Sequence, residues 1–407
     1  MKKAISLFLI LCISTVLLSA CSPPIPTSDQ YVEGQDCQYM YNGQGRFRIC
    51  STGDSYYYLA PSGTIYIIDK QTLICVPFCN KPNCAHNSKE CIAHAKPRGI
   101  WFYQGSLYVV DERGDEQAEV NELESNILYK LSLDGTSKDF VRYVPSSGSS
   151  FIHRGYYYAN HYDGVYRYSL TDKEEGELII ERTEDAEPIL RNIYGNSLYV
   201  HVTRFESQPA IEELRYDISD LSSPVTTGYI EVKEDKTEAV LSQCITPEGI
   251  FAKKVLSDNQ ATTIYDSTFL WADYNGNERE DVGFLVNDVD TSVMSGMATA
   301  DSSYYYYFAE PGVPVERERF EQSVLLIYDR KTKEKCEEIP FYTEYGSLFA
   351  PYLGDDRYLF MEFETRHYYD ENKQYVREPD SYMSLCILDK QQIGKGAEIR
   401  ELVRGAQ

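Results

Sequence analysis

Apolar and polar positions alternate over short runs along this chain, and one kind of run returns about every fifty residues. Its members are Tyr56-Tyr57-Tyr58, Leu107-Tyr108-Val109-Val110, Tyr156-Tyr157-Tyr158, Leu198-Tyr199-Val200, Ile250-Phe251-Ala252, Tyr304-Tyr305-Tyr306-Tyr307-Phe308 and Tyr358-Leu359-Phe360-Met361. Their centres are 51, 49, 42, 52, 55 and 53 residues apart. Aromatic and β-branched residues in such runs suit a pleated, half-buried surface, so each is predicted to be a strand. A second apolar run follows each one and ends at an Asp or a polar turn: Ile65 to Asp69, Leu128 to Leu131, Val165 to Tyr168, Leu214 to Asp217, Phe269 to Asp273, Leu326 to Asp329 and Leu385 to Asp389. Ser62-Gly63, Asp134-Gly135, Asp163-Gly164 and Asn275-Gly276 sit where hairpins should close. No long stretch of helical periodicity appears, which excludes a bundle or an α/β fold.

Repeats of roughly 40–50 residues built from short strands are the signature of propeller blades, because a single four-stranded blade buries its faces only against its neighbours. The expected fold is therefore all-β, a β-propeller of seven four-stranded blades, with residues 31–407 as one domain. Residues 38–49 are a candidate closing strand for the last blade. The loops between the two recurring strands should all open on one face. Those at 112–125, 204–213, 256–268, 310–322 and 364–381 are long, whereas those at 60–63 and 160–164 are short. The last two long loops mix charge with aromatic rings, so Arg317, Arg319, His367, Tyr368 and Tyr369 are candidate ligand-binding residues on a recognition face.

The chain opens on Lys2 and Lys3, an uncharged apolar run over 4–18, and Leu18-Ser19-Ala20-Cys21. That run is too short to remain as a membrane helix, and the small residues before Cys21 suit a signal peptidase. Residues 1–20 are read as a lipoprotein signal peptide removed before Cys21, which then carries lipid, with 21–30 as the lipidated N-terminus and tether. The expected location is the extracytoplasmic side of the cell membrane, with the Cys21 lipid as the membrane contact. Fully extended, the eight residues 22–29 would reach roughly 26–29 Å.

Composition narrows the partners. The chain carries 39 basic and 63 acidic residues, a net −24, and loss of Lys2 and Lys3 makes it −26. Such a field repels nucleic acid and anionic lipid headgroups, leaving a protein, peptide or glycan as the expected partner.

Four cysteines and two histidines crowd residues 75–94, read as an insert in the propeller domain. Cys79, Cys84, His86 and Cys91 offer three thiolates and one imidazole, the donor set of a structural zinc site, with His94 as a substitute ligand. Disulfides are the competing chemistry outside the cytoplasm, with Cys37, Cys50 and Cys75 as further partners. Pro77 and Pro82 argue that this segment is a loop in need of a staple. In either case the role is structural, because four protein ligands leave zinc no open position for water.

The layout of lipobox, Tyr-rich strand, Leu-Tyr-x-x-Asp strand and Cys79-Asn-Lys-Pro-Asn-Cys84-Ala-His86 resembles a group of uncharacterised Gram-positive surface lipoproteins with a TolB/WD40-like propeller. The resemblance covers the chain after Cys21 and implies a fold and a location, with no activity attached.

Sequence motifs assign no catalytic residue. The zinc-protease, nucleophile-elbow, phosphate-loop and dinucleotide motifs are all absent. Asp273-x-Asn275-x-Asn277 resembles a calcium loop, but Glu278 and Phe284 stand where such a loop needs Gly and Glu, so a hairpin turn is expected. The first functional reading is a non-catalytic binding scaffold. The alternative is an extracytoplasmic polysaccharide hydrolase or lyase with carboxylates or His153, His161, His201 or His367 in the propeller centre.

Overall fold

A computed structural model describes residues 25–43, 45–86, 88, 90–113, 122–172, 174–205, 210–258, 264–286, 294–311, 322–341, 347–364, 367–369, 375–377 and 382–406. The chain is all-β. Ile49–Ser51, Ser55–Leu59, Ile65–Asp69 and Cys75–Pro77 pair in that order as an antiparallel four-stranded meander. Further four-stranded sheets begin with Ile100–Tyr103, Ser150–His153, Met294–Ala300 and Ser347–Tyr352. An eight-stranded sheet begins with Ala186–Tyr194 and has Lys236–Thr246 as its fifth strand.

In all seven cases the Tyr-rich run and its partner run are adjacent antiparallel strands, as the sequence pattern predicts. The Asp that ends many partner strands has a physical task. Asp69 Oδ1 accepts the backbone N–H groups of Gln71 and Thr72, and Asp329 Oδ1 those of Lys331 and Thr332. The carboxylate thus satisfies the turn that leads to the outer strand. Asp273 does the same for Asn275 and Asn277, so the calcium-like stretch is a turn closed by its own carboxylate, as expected.

The opening strands of successive sheets, with Lys236–Thr246 standing between Ala186–Tyr194 and Met294–Ala300, touch one another from Ile49–Ser51 round to Ser347–Tyr352, giving a propeller-like succession of sheets. Apolar faces pack between neighbours; Tyr306, Phe308, Leu325 and Ile327 of one sheet meet Leu348, Leu359, Met361 and Phe363 of the next. Each such side chain contributes about 1.5–3 kcal/mol of burial. First and last sheets join through Glu362, which is fully buried. Its carboxylate accepts Tyr58 Oη at 2.9 Å and Tyr352 Oη at 2.6 Å, and Arg48 Nη1 lies 3.6 Å away.

The last sheet is completed by the C-terminal strand Ile399–Ala406, and residues 38–43 and 45–48 take a different course from the closing strand expected of them. They run between the opening strands. Cys37 N–H donates to His153 Nδ1, the Gln38 amide brackets the backbone of Ser51, and Gly354 N–H donates to Met40 O. A Cβ at Gly43 would fall 2.5 Å from the Tyr352 ring, and one at Gly45 3.0 Å from Ser149 Oγ. Only glycine permits that close approach.

Candidate metal centre and loop-face pocket

The connection from Cys75–Pro77 to Ile100–Tyr103 carries the Cys/His insert. Phe78, Cys91, Ile92, Ala93 and Ala95 are buried between the first two sheets with Tyr57, Ile100 and Leu107, so both ends of the insert are pinned. Between those ends, Asn83 and His86 adopt left-handed backbone, φ 60° and 57°, which folds Cys84 and His86 back toward Cys79 and Cys91.

The donor atoms of Cys79, Cys84, His86 and Cys91 all lie within 4.8 Å of one another. Cys84 Sγ is 3.5 Å from Cys91 Sγ, and His86 Nδ1 is 3.6 Å from Cys91 Sγ. With metal–sulfur bonds of about 2.3 Å and metal–nitrogen bonds of about 2.0–2.1 Å, tetrahedral edges come to about 3.8 Å and about 3.6 Å. The donor set therefore fits zinc in type, number and spacing. The N–H of Lys81 donates to Cys79 Sγ at 3.4 Å. The N–H of His86 draws the Cys84 thiol below its ordinary range, whereas burial pushes Cys91 up to about 12. His94 stands outside the group, pairing instead through its backbone with Thr64. Among the nine described cysteines, Cys37, Cys50 and Cys75 included, no two sulfurs are bonded to each other.

Two cavities flank the axis on opposite faces. One, about 1060 Å³, is lined by the turns around Thr52, Pro247, Ser302 and Asp355 and by Tyr31 and Gln38–Tyr41 of the entering chain. Across its floor Lys390 Nζ reaches Asp301 Oδ2 at 2.7 Å and the carbonyls of Leu353 and Asp355. The N-terminal residues are fastened to this turn face. The Arg154 guanidinium donates to Asp36 and to the carbonyls of Pro26, Ser28 and Gln30.

The second cavity, about 780 Å³, opens on the loop face, the side that also carries the Cys/His insert. Arg46, Ser147, Ser149, Asn160, His161, Tyr162, Arg191 and Phe349 line it. A bulge in Ala186–Tyr194 leaves Arg191 without a cross-strand partner, and a matching bulge at Phe349 interrupts Ser347–Tyr352. Bulges re-aim side chains, here at equivalent places in two opening strands. Asn160 locks the first bulge, exchanging hydrogen bonds with both backbone groups of Leu190. Asp163 fixes His161, accepting from Nδ1 at 2.5 Å, while Tyr166 Oη donates to its other oxygen. Burial raises the Asp163 pKa, but these two hydrogen bonds outweigh it and hold the carboxyl below its ordinary value.

Of the recognition-face residues expected from sequence, Arg317 and Arg319 lie outside the described residues. His367, Tyr368 and Tyr369 form a short strand paired with Tyr375–Arg377, a separate ribbon between two strands of the last sheet. Cys21 also lies outside the described residues. In the sequence the only signal of Arg46 and Arg191 is cationic charge on an acidic chain. His161 stands alone among scattered histidines there, and its one signal is the spacing His161-x-Asp163 across a tight turn.

No family model matches the chain, and no curated protein does. Among solved structures it is similar to an oligogalacturonate lyase from Vibrio parahaemolyticus, at 12% identity over 91% of each chain with a TM-score of 0.45. It is also similar to the tricorn protease, at 11% identity over 93% of this chain and 36% of that one, TM-score 0.43. A structure from a study of two prolyl endopeptidases matches at 11% identity over 84% of this chain, TM-score 0.43, and the present chain spans 46% of its length.

Proposed function

We propose that the chain is a lipid-anchored extracytoplasmic β-propeller of seven blades, the eight-stranded sheet counting as two, that serves as a non-catalytic binding scaffold. Its partner is a protein, peptide or glycan, and Cys79, Cys84, His86 and Cys91 hold a structural zinc ion. The observation that carries this reading is the opposition of the two faces. Arg154 binds residues 26–30 to the turn face, and the loop-face pocket lies on the other side. A chain lipidated at Cys21 would leave the turn face toward the membrane with four residues, 22–25, before the Pro26 contact. That is roughly 13–14 Å at full extension, about half the reach of the eight-residue tether. The loop face then points outward.

Metabolic labelling with palmitate tests the anchor. Label on the wild type, none on Cys21→Ser and release of that variant into the medium are expected; equal labelling of both would refute it. Binding of the full chain to cell-surface polysaccharides and peptides tests the scaffold: loss of binding on shortening the loop-face connections supports it, and indifference to every such change contradicts it.

One observation favours the enzymatic alternative. Burial pushes the Glu310 carboxyl up to about 7; the N–H of Leu348 at 2.9 Å opposes the shift and the Glu364 charge adds to it. A carboxyl of that pKa suits a general acid at neutral pH. Cleavage of a surface polysaccharide by the wild type and its loss in Glu310→Gln would establish this reading in place of the scaffold.

A further inference from the structure

Arg46 and Arg191 are an anomaly on so acidic a chain. Among the described residues neither guanidinium has a carboxylate oxygen within 4.0 Å, whereas many of the other arginines do. Arg46 stacks on the Phe349 ring, 4.0 Å from its centroid. Arg191 is half-buried: desolvation lowers its pKa, Glu213 opposes that, and Arg46 adds like-charge repulsion. Glu213 is engaged elsewhere, accepting from Thr227, Ser242 and His201. The carboxylate in the pocket lining is Glu187, which faces Arg182 at 3.5 Å. Two cations held together without a counter-ion lack an anion that a ligand can bring.

His161 supplies the second observation. Its side chain is 6% exposed, and Nε2 is buried with no hydrogen-bond partner. With Nδ1 committed to Asp163, Nε2 is the ring's one polar atom left for a ligand hydroxyl. Beside it the Tyr162 ring is 63% exposed, its centroid 4.2 Å from that of His161. The pocket thus offers positive charge, a buried ring nitrogen and a flat apolar surface within a volume suited to a small ligand.

We infer that the loop-face pocket binds an acidic saccharide, with Arg46 and Arg191 receiving its carboxylate, His161 Nε2 hydrogen-bonding a sugar hydroxyl and Tyr162 covering a ring face. A peptide fits less well, because peptide recognition by β proteins commonly uses a free sheet edge, and loops and bulges build this pocket. The inference rests on the loop face being the recognition face and adds the ligand's chemistry.

The test is calorimetric titration of the full chain with a β-1,4-linked glucuronic acid trimer, its neutral counterpart cellotriose, and pentaglutamate. The trimer should bind at least about tenfold more tightly than either other probe, and added salt should weaken it. Arg191→Gln and Arg46→Gln should each weaken it by about tenfold or more, the loss expected for a charge-assisted pair. Arg46 is exposed, so its variant separates binding from folding. Tighter binding of pentaglutamate, trimer binding indifferent to both arginines, or no trimer binding would each overturn the inference. Cellotriose binding that survives both Arg variants but is lost in Tyr162→Ala would overturn it while leaving the loop face as the recognition face.

Discussion

Cys84 Sγ lies 3.5 Å from Cys91 Sγ, close to the edge length a zinc tetrahedron would have and too far for a bond. His86 Nδ1 stands 3.6 Å from the same Cys91 sulfur. The apolar anchors Phe78 and Ile92 hold the insert's two ends, and a metal ion would supply the centre it lacks. Cys84→Ser should remove one ligand and free the loop. A cross-link closing a loop of this length contributes about 3 kcal/mol, so a lower thermal midpoint and faster proteolysis within the insert are expected. An unchanged midpoint would show that the four side chains share no ion.

The Arg154–Asp36 pair is buried on both sides, with Nε 2.7 Å from Oδ1. Removing one member leaves an unpaired buried charge. Arg154→Met should therefore cost about 3–5 kcal/mol in urea unfolding. It should also free residues 26–30, so that limited proteolysis cuts there first.

Glu362 joins the first and last sheets through Tyr58, Tyr352 and Arg48. Glu362→Ala orphans two buried hydroxyls and a guanidinium, and a loss of about 3–5 kcal/mol is expected. Tyr352→Phe removes one hydrogen bond and should cost about 1–2 kcal/mol. Equal effects in chemical denaturation would refute the ranking.

His153 predicts the direction of an acid response. Burial lowers its pKa to about 4, with Nδ1 accepting from Cys37 N–H and Nε2–H donating to Gly195 O. The folded state resists a proton that the unfolded chain accepts near 6.5. This contribution is complete above pH 6.5 and is lost as pH falls toward 4, by up to about 3 kcal/mol. His153→Gln should flatten the stability profile between pH 6.5 and 4; an unaltered slope would contradict the assignment.

The strand framework was legible because it rests on local rules. Tyr56 to Tyr58 and Ile65 to Asp69 pair where the alternation put them, and Asp69 closes the turn its position suggested. The placing of Gly43 and Gly45 was not legible, since each is required by an approach to a residue more than a hundred positions away, Tyr352 and Ser149. Arg191 likewise gains its position from a bulge that Asn160 locks from another sheet. Cys79, Cys84, His86 and Cys91 were visible as a cluster; that their donor atoms converge within 4.8 Å of one another needed the fold of the insert.

The most direct measurement is the metal and thiol content of the purified full chain. The account predicts about one zinc per molecule, released by chelator together with three newly reactive thiols, and no zinc in Cys84→Ser. A metal-free protein in which two of Cys79, Cys84 and Cys91 are joined as a disulfide, or any of them is bonded to Cys37, Cys50 or Cys75, would contradict it.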